Sequence, residues 1–246
     1  MTRSSMANNA QDEEFTLEEA KGQDKEIYTI HGDKGSGKTT MAFRFKGHKY
    51  CLAFDNKSAR IKHNIYGDSK DIYIIEALKH YERTPEMMTV SAITTYKYIA
   101  WVIDQIGEKS DCDWIIIDNL QRLAEVAEMC MRNDHKLSPF QGFSQQSFWK
   151  LRRVYLQRLH QKALGVAKRG LIYTCYSKSE DTEIVDGQVQ RRKQVPQYVD
   201  VIEEDTDTVF QTLISNGDQG TRFMCRIITS KIPKYKTGQL LDVTIE

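Results

Sequence analysis

No apolar run in this 246-residue chain exceeds a few residues, and its first residues are polar, so neither a membrane-spanning helix nor a secretory leader is expected. That points to an intracellular, cytoplasmic protein with no membrane partner. Cysteine is sparse: the five residues Cys51, Cys112, Cys130, Cys175 and Cys225 include no C-x-x-C pair, and an odd, scattered set suits reduced thiols rather than a disulfide framework or a structural metal. Net charge is nearly absent too, at +1, but unevenly spread: residues 1–26 hold three basic and seven acidic side chains, net −4, which leaves +5 on the rest. A mildly basic body fits a nucleic-acid partner without requiring one. The remainder is ordinary, with 40% hydrophobic and 28% charged residues, enough for one large α/β domain without a second. Residues 1–25 read as an acidic, disordered tail with one short helix around Phe15 to Ala20, and 26–246 as the folded domain.

The strongest pattern present is Gly32-Asp33-Lys34-Gly35-Ser36-Gly37-Lys38-Thr39, which satisfies the Walker A spacing G-x-x-x-x-G-K-[ST] at every fixed position. Glycines tolerate the positive φ angles that turn successive backbone N–H groups toward one anion. Lys38 is the residue to neutralise the outer phosphates, the Thr39 hydroxyl to ligate Mg²⁺, and Thr40 to continue the cradle into a helix. The short β-rich run Ile27–Ile30 precedes the loop and Thr40–Phe45 can open a helix after it, the order in which helix-terminal N–H groups assist anion binding.

Further strands are expected at Tyr50–Phe54, ending in Asp55, and at Asp71–Ile75, ending in Glu76. Between Pro85 and Gly107, Ile93, Ile99, Val102, Ile103 and Ile106 recur at helical spacing. Trp114-Ile115-Ile116-Ile117 then leads to Asp118, an unbroken apolar run of the kind buried on both faces of a parallel sheet. An apolar run ending in Asp is common at strand ends; about eighty residues after a Walker A loop it reads as Walker B, with Asp118 holding Mg²⁺ opposite Thr39. From Phe148 to Arg169 the chain carries Lys150, Arg152, Arg153, Arg158, Lys162, Lys168 and Arg169 with no acidic residue. That helix is either a solvated outer helix or a contact for DNA phosphates or an acidic partner. Another strand spans Leu171–Tyr176, a polar segment follows from Ser177, and Thr208–Glu246 reads as strands separated by turns at Asn216-Gly217-Asp218 and Lys236-Thr237-Gly238.

Together these residues resemble the RecA/RadA-type ATPase core, and more closely the short RecA-like nucleotide-binding proteins of phages and archaeal viruses, the single-strand-annealing group included, over roughly residues 26–246. The resemblance implies an α/β P-loop NTPase with a mostly parallel sheet flanked by helices and antiparallel strands at the C-terminal end. It also implies an ATPase that uses ATP and Mg²⁺, assembles into a homo-oligomer with ATP at the subunit interface, and acts on DNA, single-stranded by preference, in recombination or replication of a virus or mobile element. Lys231, in the segment Thr221–Ile232, matches one of the lysines that reach a neighbour's ATP in that group, while Thr229 stands at the other. Lys57 stands where the water-activating glutamate is expected, which leaves Asp55 and Glu76 as candidates to orient water. Thr174, Tyr176 and Ser177 are the candidates to sense the last phosphate.

Two DNA-contacting loops are implied. One is about Asn133 to Gln146, with His135, Lys136, Phe140 and Phe143; the other is Ser177 to Gln194, with Arg191, Arg192 and Lys193 near its end. Cations there supply phosphate attraction, and aromatics a stacking surface. Four carboxylates, Glu180, Asp181, Glu183 and Asp186, cancel the cations of the second loop, so tight binding requires several subunits on one strand. Two other readings stand beside this one: an AAA+-type replication initiator or loader, against which the strand-rich end argues, and a nucleotide-gated binding module without significant hydrolysis, which Lys57 favours. A small-molecule kinase is disfavoured for want of an Arg-rich lid segment.

Overall fold

Alternation of side chains along the apolar runs decides how this chain layers. In the computed structural model, residues 25–142, 146–185, 188–197, 200–217 and 220–244 are described, without the side chains of 146, 182–192, 200 and 217. The tail expected over 1–25 lies outside this description except for Lys25.

Among the described residues, nine strands form one sheet. They are β1 (Glu26–Gly32), β2 (Lys49–Ala53), β3 (Ile72–Glu76), β4 (Trp114–Asp118), β5 (Gly170–Val185), β6 (Gln188–Pro196), β7 (Thr208–Gly217), β8 (Gly220–Ser230) and β9 (Leu240–Asp242). The order is β3-β2-β4-β5-β1-β7-β8-β9, with β6 paired to β5. From β3 through β7 all neighbours are parallel, and β8 and β9 then add antiparallel. This is an α/β P-loop fold with a mostly parallel sheet and antiparallel strands at its C-terminal end.

Successive residues of each central strand enter different cores. Tyr50, Leu52, Ile115, Ile117, Leu171 and Tyr173 pack against Ile99, Val102, Ile103 and Ile106 of α3 (Met88–Glu108) and against Leu156 and Leu159 of α5 (Gln146–Val166). Their neighbours Cys51, Ala53, Ile116 and Ile172 face the other way, onto Met41, Ala42 and Phe43 of α1 (Lys38–Phe43). Both faces are thus covered, as unbroken apolar strands require. Two further helices flank the site: α2 (Lys57–Ile61), continued by a π-helical turn Lys62–Tyr66, and α4 (Leu120–Asp134); the short α6 (Asp200–Asp205) precedes β7.

The structure corrects one expectation and fills in two other segments. The polar segment from Ser177 is not a loop: β5 runs on to Val185 and turns back as β6, a hairpin whose register sets Glu180 opposite Lys193, Asp181 opposite Arg192 and Glu183 opposite Arg191. The carboxylates and cations that cancel by count therefore occupy paired register positions on neighbouring strands. The stretch after Asp118 is a helix, α4, capped by Asn119, whose side chain accepts from the Arg122 N–H at 3.1 Å. Finally, α5 ends at Val166, and several cations of that basic stretch are answered from neighbouring elements: Arg152 by Glu128, Arg153 by Glu204, Lys162 by Asp104 and Arg169 by Asp113. It is a salt-bridged outer helix.

Candidate functional site

Parallel strands bring their C-terminal ends to one edge, and ligands of open α/β folds bind there. At that edge β1 ends in Gly32, β4 in Asp118, and the parallel part of β5 at Tyr176. Between Gly32 and α1 the chain makes a tight loop in which Gly35 and Gly37 adopt φ of 84° and 88°. A side chain at Gly37 would be strained by that angle and would press on the Phe223 ring, 3.2 Å from a built Cβ. Ser36 anchors the loop from inside, through the Asp33 carbonyl at 2.8 Å and the Thr212 hydroxyl of β7 at 2.7 Å. α1 has only six residues, so the anion-binding capacity of the site falls to the loop rather than to a long helix dipole.

Lys38 lies across this loop. Its ammonium donates to the carbonyls of Gly32 at 3.0 Å and Asp33 at 2.7 Å and sits over the Tyr176 ring at 4.7 Å from the centroid. Burial lowers its pKa, while the charges of Asp118 and Asp33 oppose the shift.

Opposite, the buried Asp118 carboxylate collects hydroxyl donors from three elements: Thr39 of α1 at 2.8 Å, Ser58 of α2 at 2.7 Å, and Thr174 of β5. A carboxylate, an adjacent threonine hydroxyl and room for phosphate oxygens and water form the hard oxygen set that Mg²⁺ selects, so the residues fit that ion. A cavity of about 390 Å³ opens here, lined by Lys34, Gly35, Gly37, Lys38, Thr39, Thr40, Asp55, Lys57, Arg60, Ile61, Asp118, Asn119, Tyr176 and Phe223. A larger cavity of about 700 Å³ lies at the opposite sheet edge, against Tyr28, Trp114, Phe210 and Tyr235, and contains no cradle residue, so size does not select the site.

The other candidate residues separate. Asp55 borders the phosphate cavity, and one of its oxygens accepts from the Lys57 N–H at 2.9 Å. Glu76 does not border it; Ala53 pairs with both Glu76 and Asp118, so Glu76 stands two strand spacings, about 10 Å, from Asp118 and faces a neighbouring hollow with Tyr81, Arg83 and Arg122. Lys231 lies at the far edge of the sheet, its N–H on the Asp207 carbonyl and its ammonium on that of Glu204. That level corresponds to Ile27 of β1, five residue steps or about 17 Å from Gly32, so Lys231 does not serve its own cradle. Lys136 follows α4, whose fifteen residues carry it about 22 Å from Asn119. Lys193 is exposed on the hairpin just beyond the cradle; the side chains of Arg191 and Arg192 lie outside the described residues, as does Phe143. Of the three sensor candidates, Thr174 bonds Asp118, Tyr176 covers Lys38, and Ser177 bonds His31.

Sequence reading missed Ser58, Thr212 and His31. His31 is wholly buried one position before Gly32, with Nδ1 at 2.9 Å from the Ser177 hydroxyl and Nε2 unpartnered. Burial, and then the Lys38 charge, push its pKa down to about 4. A histidine held neutral in the fold but free to protonate when unfolded supports stability above its unfolded pKa near 6.5 and withdraws it as pH falls toward 4. Moving from pH 7 to pH 5 is therefore expected to cost about 2 kcal/mol through this group, and His31→Gln to lose correspondingly less stability over that interval in denaturant melts. Equal losses in both proteins would refute this.

Loop, lysine, the Thr39–Asp118 pair and strand order together define a P-loop nucleotide-binding α/β domain. The sequence matches the AAA domain family over residues 24–235, and the chain belongs to that family. Among solved structures the fold is similar to the KaiC-like protein of the hyperthermophilic archaeon Pyrococcus horikoshii OT3, at 12% identity and a TM-score of 0.49, over 88% of this chain and 84% of that one. No curated protein sequence matches the chain. Among the described residues no helix is long and apolar enough to cross a membrane.

Proposed function

We propose that this chain binds ATP with Mg²⁺ at the 32–40 loop, hydrolyses it slowly, and uses that cycle to act on DNA in recombination or replication of a virus or mobile element. The observation that carries the nucleotide reading is the convergence of Lys38, the loop amides and the Thr39–Asp118 pair on one cavity. Lys38 and the loop amides would hold phosphate oxygens; Thr39 and Asp118 would hold Mg²⁺, which when bound supplies charge neutralisation of the phosphates. Asp55 is the carboxylate of the cavity wall able to orient water.

The DNA reading rests on the resemblance to short phage and archaeal-virus proteins and on the β5–β6 hairpin. That hairpin starts at the residue touching Lys38 and carries Arg191, Arg192 and Lys193 on its return strand. Assembly with ATP between subunits would give Lys231, remote from its own cradle, a neighbour's nucleotide to reach. Lys57 on the cavity wall favours a second reading, a nucleotide-gated binding module with little turnover.

The test measures ATP hydrolysis with and without single-stranded DNA, together with DNA binding and particle size, for wild type and Lys38→Ala. Wild-type turnover is expected to rise with DNA and to fall roughly a hundredfold in Lys38→Ala. Equal rates in the two proteins would remove the enzyme reading and leave the module; a wild type that neither binds DNA nor changes size with ATP would remove the DNA reading.

A further inference from the structure

The phosphate cavity has a second cationic wall that the Walker A pattern does not announce. The loop supplies Lys34 and Lys38 on one side, and across from it α2 presents Lys57 and Arg60, one helical turn apart. Both are exposed, and neither makes an ion pair among the described residues. Asp55, the nearest carboxylate in sequence, is turned into the start of α2, where it accepts from the Lys57 N–H. Asp118, the other carboxylate of the lining, is held by three hydroxyls. Lys57 is close enough to Lys38 for its charge to lower the Lys38 pKa. That effect is smaller than the opposing ones of Asp118 and Asp33, but it places both cations on one cavity, where a polyanion can meet the two at once.

The α2 helix is also not free to drift. Ser58, between the two cations, is fully buried and donates to the same Asp118 carboxylate that bonds Thr39, so the helix is pinned to the metal-binding pair. The cationic pair is therefore held at a fixed height over the cavity by the residue that also fixes Asp118.

We propose that Lys57 and Arg60 form a clamp for the terminal phosphate, making the site selective for nucleoside triphosphate over diphosphate. The inference rests on the nucleotide reading above and deepens it. Loop amides and Lys38 belong to one wall and serve either nucleotide; the added phosphate of a triphosphate is the group with charge to spare for the opposite wall. A clamp of two flexible cations binds that group without activating water. The cavity then retains ATP and turns it over slowly. Both side chains are exposed, so each exchanges hydration for phosphate contact, and the gain per cation is modest.

The experiment measures affinities for ADP and for a non-hydrolysable ATP analogue, each with Mg²⁺, by titration calorimetry on the full chain. It compares wild type, Lys57→Gln, Arg60→Gln, the double variant and Lys38→Ala. The double variant is expected to lose about tenfold in triphosphate affinity and less than about twofold in diphosphate affinity, with each single variant falling between. Melting temperatures should match wild type, since neither side chain is buried. A parallel loss for both nucleotides, or unchanged affinities, would overturn the clamp while the nucleotide reading stands. If wild type binds neither nucleotide, or Lys38→Ala binds both as well as wild type, the nucleotide reading falls and the clamp falls with it.

Discussion

Replacing Asp118 with asparagine is expected to lower Mg²⁺ affinity, and any Mg²⁺-dependent ATP turnover, by roughly 10–100-fold while shifting the melting temperature by only a few degrees. The two effects separate because Asp118 does two jobs. Structurally it is an acceptor: the hydroxyls of Thr39 and Ser58 donate to one oxygen and that of Thr174 to the other. Asparagine keeps the shape and one oxygen, and hydroxyls can rotate to accept from its amide nitrogen, so the stability cost is about 1 kcal/mol. Electrostatically it is the buried negative charge beside Thr39, and an amide cannot replace that for a hard divalent cation. Asp118→Ala removes both functions and strands three hydroxyls in a buried setting, at about 1–3 kcal/mol for each one left unpaired. A titration of Mg²⁺ against bound nucleotide, run beside thermal melts, distinguishes the cases. Unchanged Mg²⁺ dependence in Asp118→Asn would mean that the metal is held elsewhere.

That ring of hydroxyls also shows where sequence reading stops. Asp118 is legible because Trp114-Ile115-Ile116-Ile117 must be a buried strand and the Asp that ends it follows a Walker A loop by about eighty residues. Thr39 is legible because the Walker A spacing fixes it. Ser58 is not, since α2 is five residues long, too short for any periodicity, and only the fold shows that its hydroxyl meets β4. Thr174 can be placed at the cradle edge by its position at the end of a strand, but its partner depends on β5 lying directly beside β4. Strand order is a long-range fact, and local patterns do not carry it. In contrast α4 had a readable signal: Asn119 is a good N-cap, and Leu120, Leu123, Val126, Ala127 and Cys130 follow at helical spacing and are buried. The β5–β6 hairpin conceals itself because its strands are polar and charged with no apolar alternation to mark them, and opposite charges reveal a pairing only once the register is known.

The largest effect on stability is expected at a residue remote from the nucleotide. Gly170 opens β5 in the middle of the sheet, pairing with Glu26 on one side and Trp114 on the other. Its φ of 137° is one that side chains rarely adopt, and a Cβ built there would lie 1.8 Å from the Glu26 carbonyl oxygen. The obstacle is backbone of a central strand, so no rotamer change relieves it; β1 and β5 would have to part where the P-loop strand is held in register. Gly170→Ala is therefore expected to cost at least about 3 kcal/mol, lowering the melting temperature by roughly 10 °C, or to prevent soluble expression. Gly165→Ala supplies the contrast. It lies in α5, nothing stands within 4 Å of its built Cβ, and alanine there is expected to add about 0.5–1 kcal/mol through helix propensity. Two glycine-to-alanine changes five residues apart should thus move the melt in opposite directions. If Gly170→Ala melts with wild type, β1 and β5 are not in the register that seats the cradle beside Tyr176.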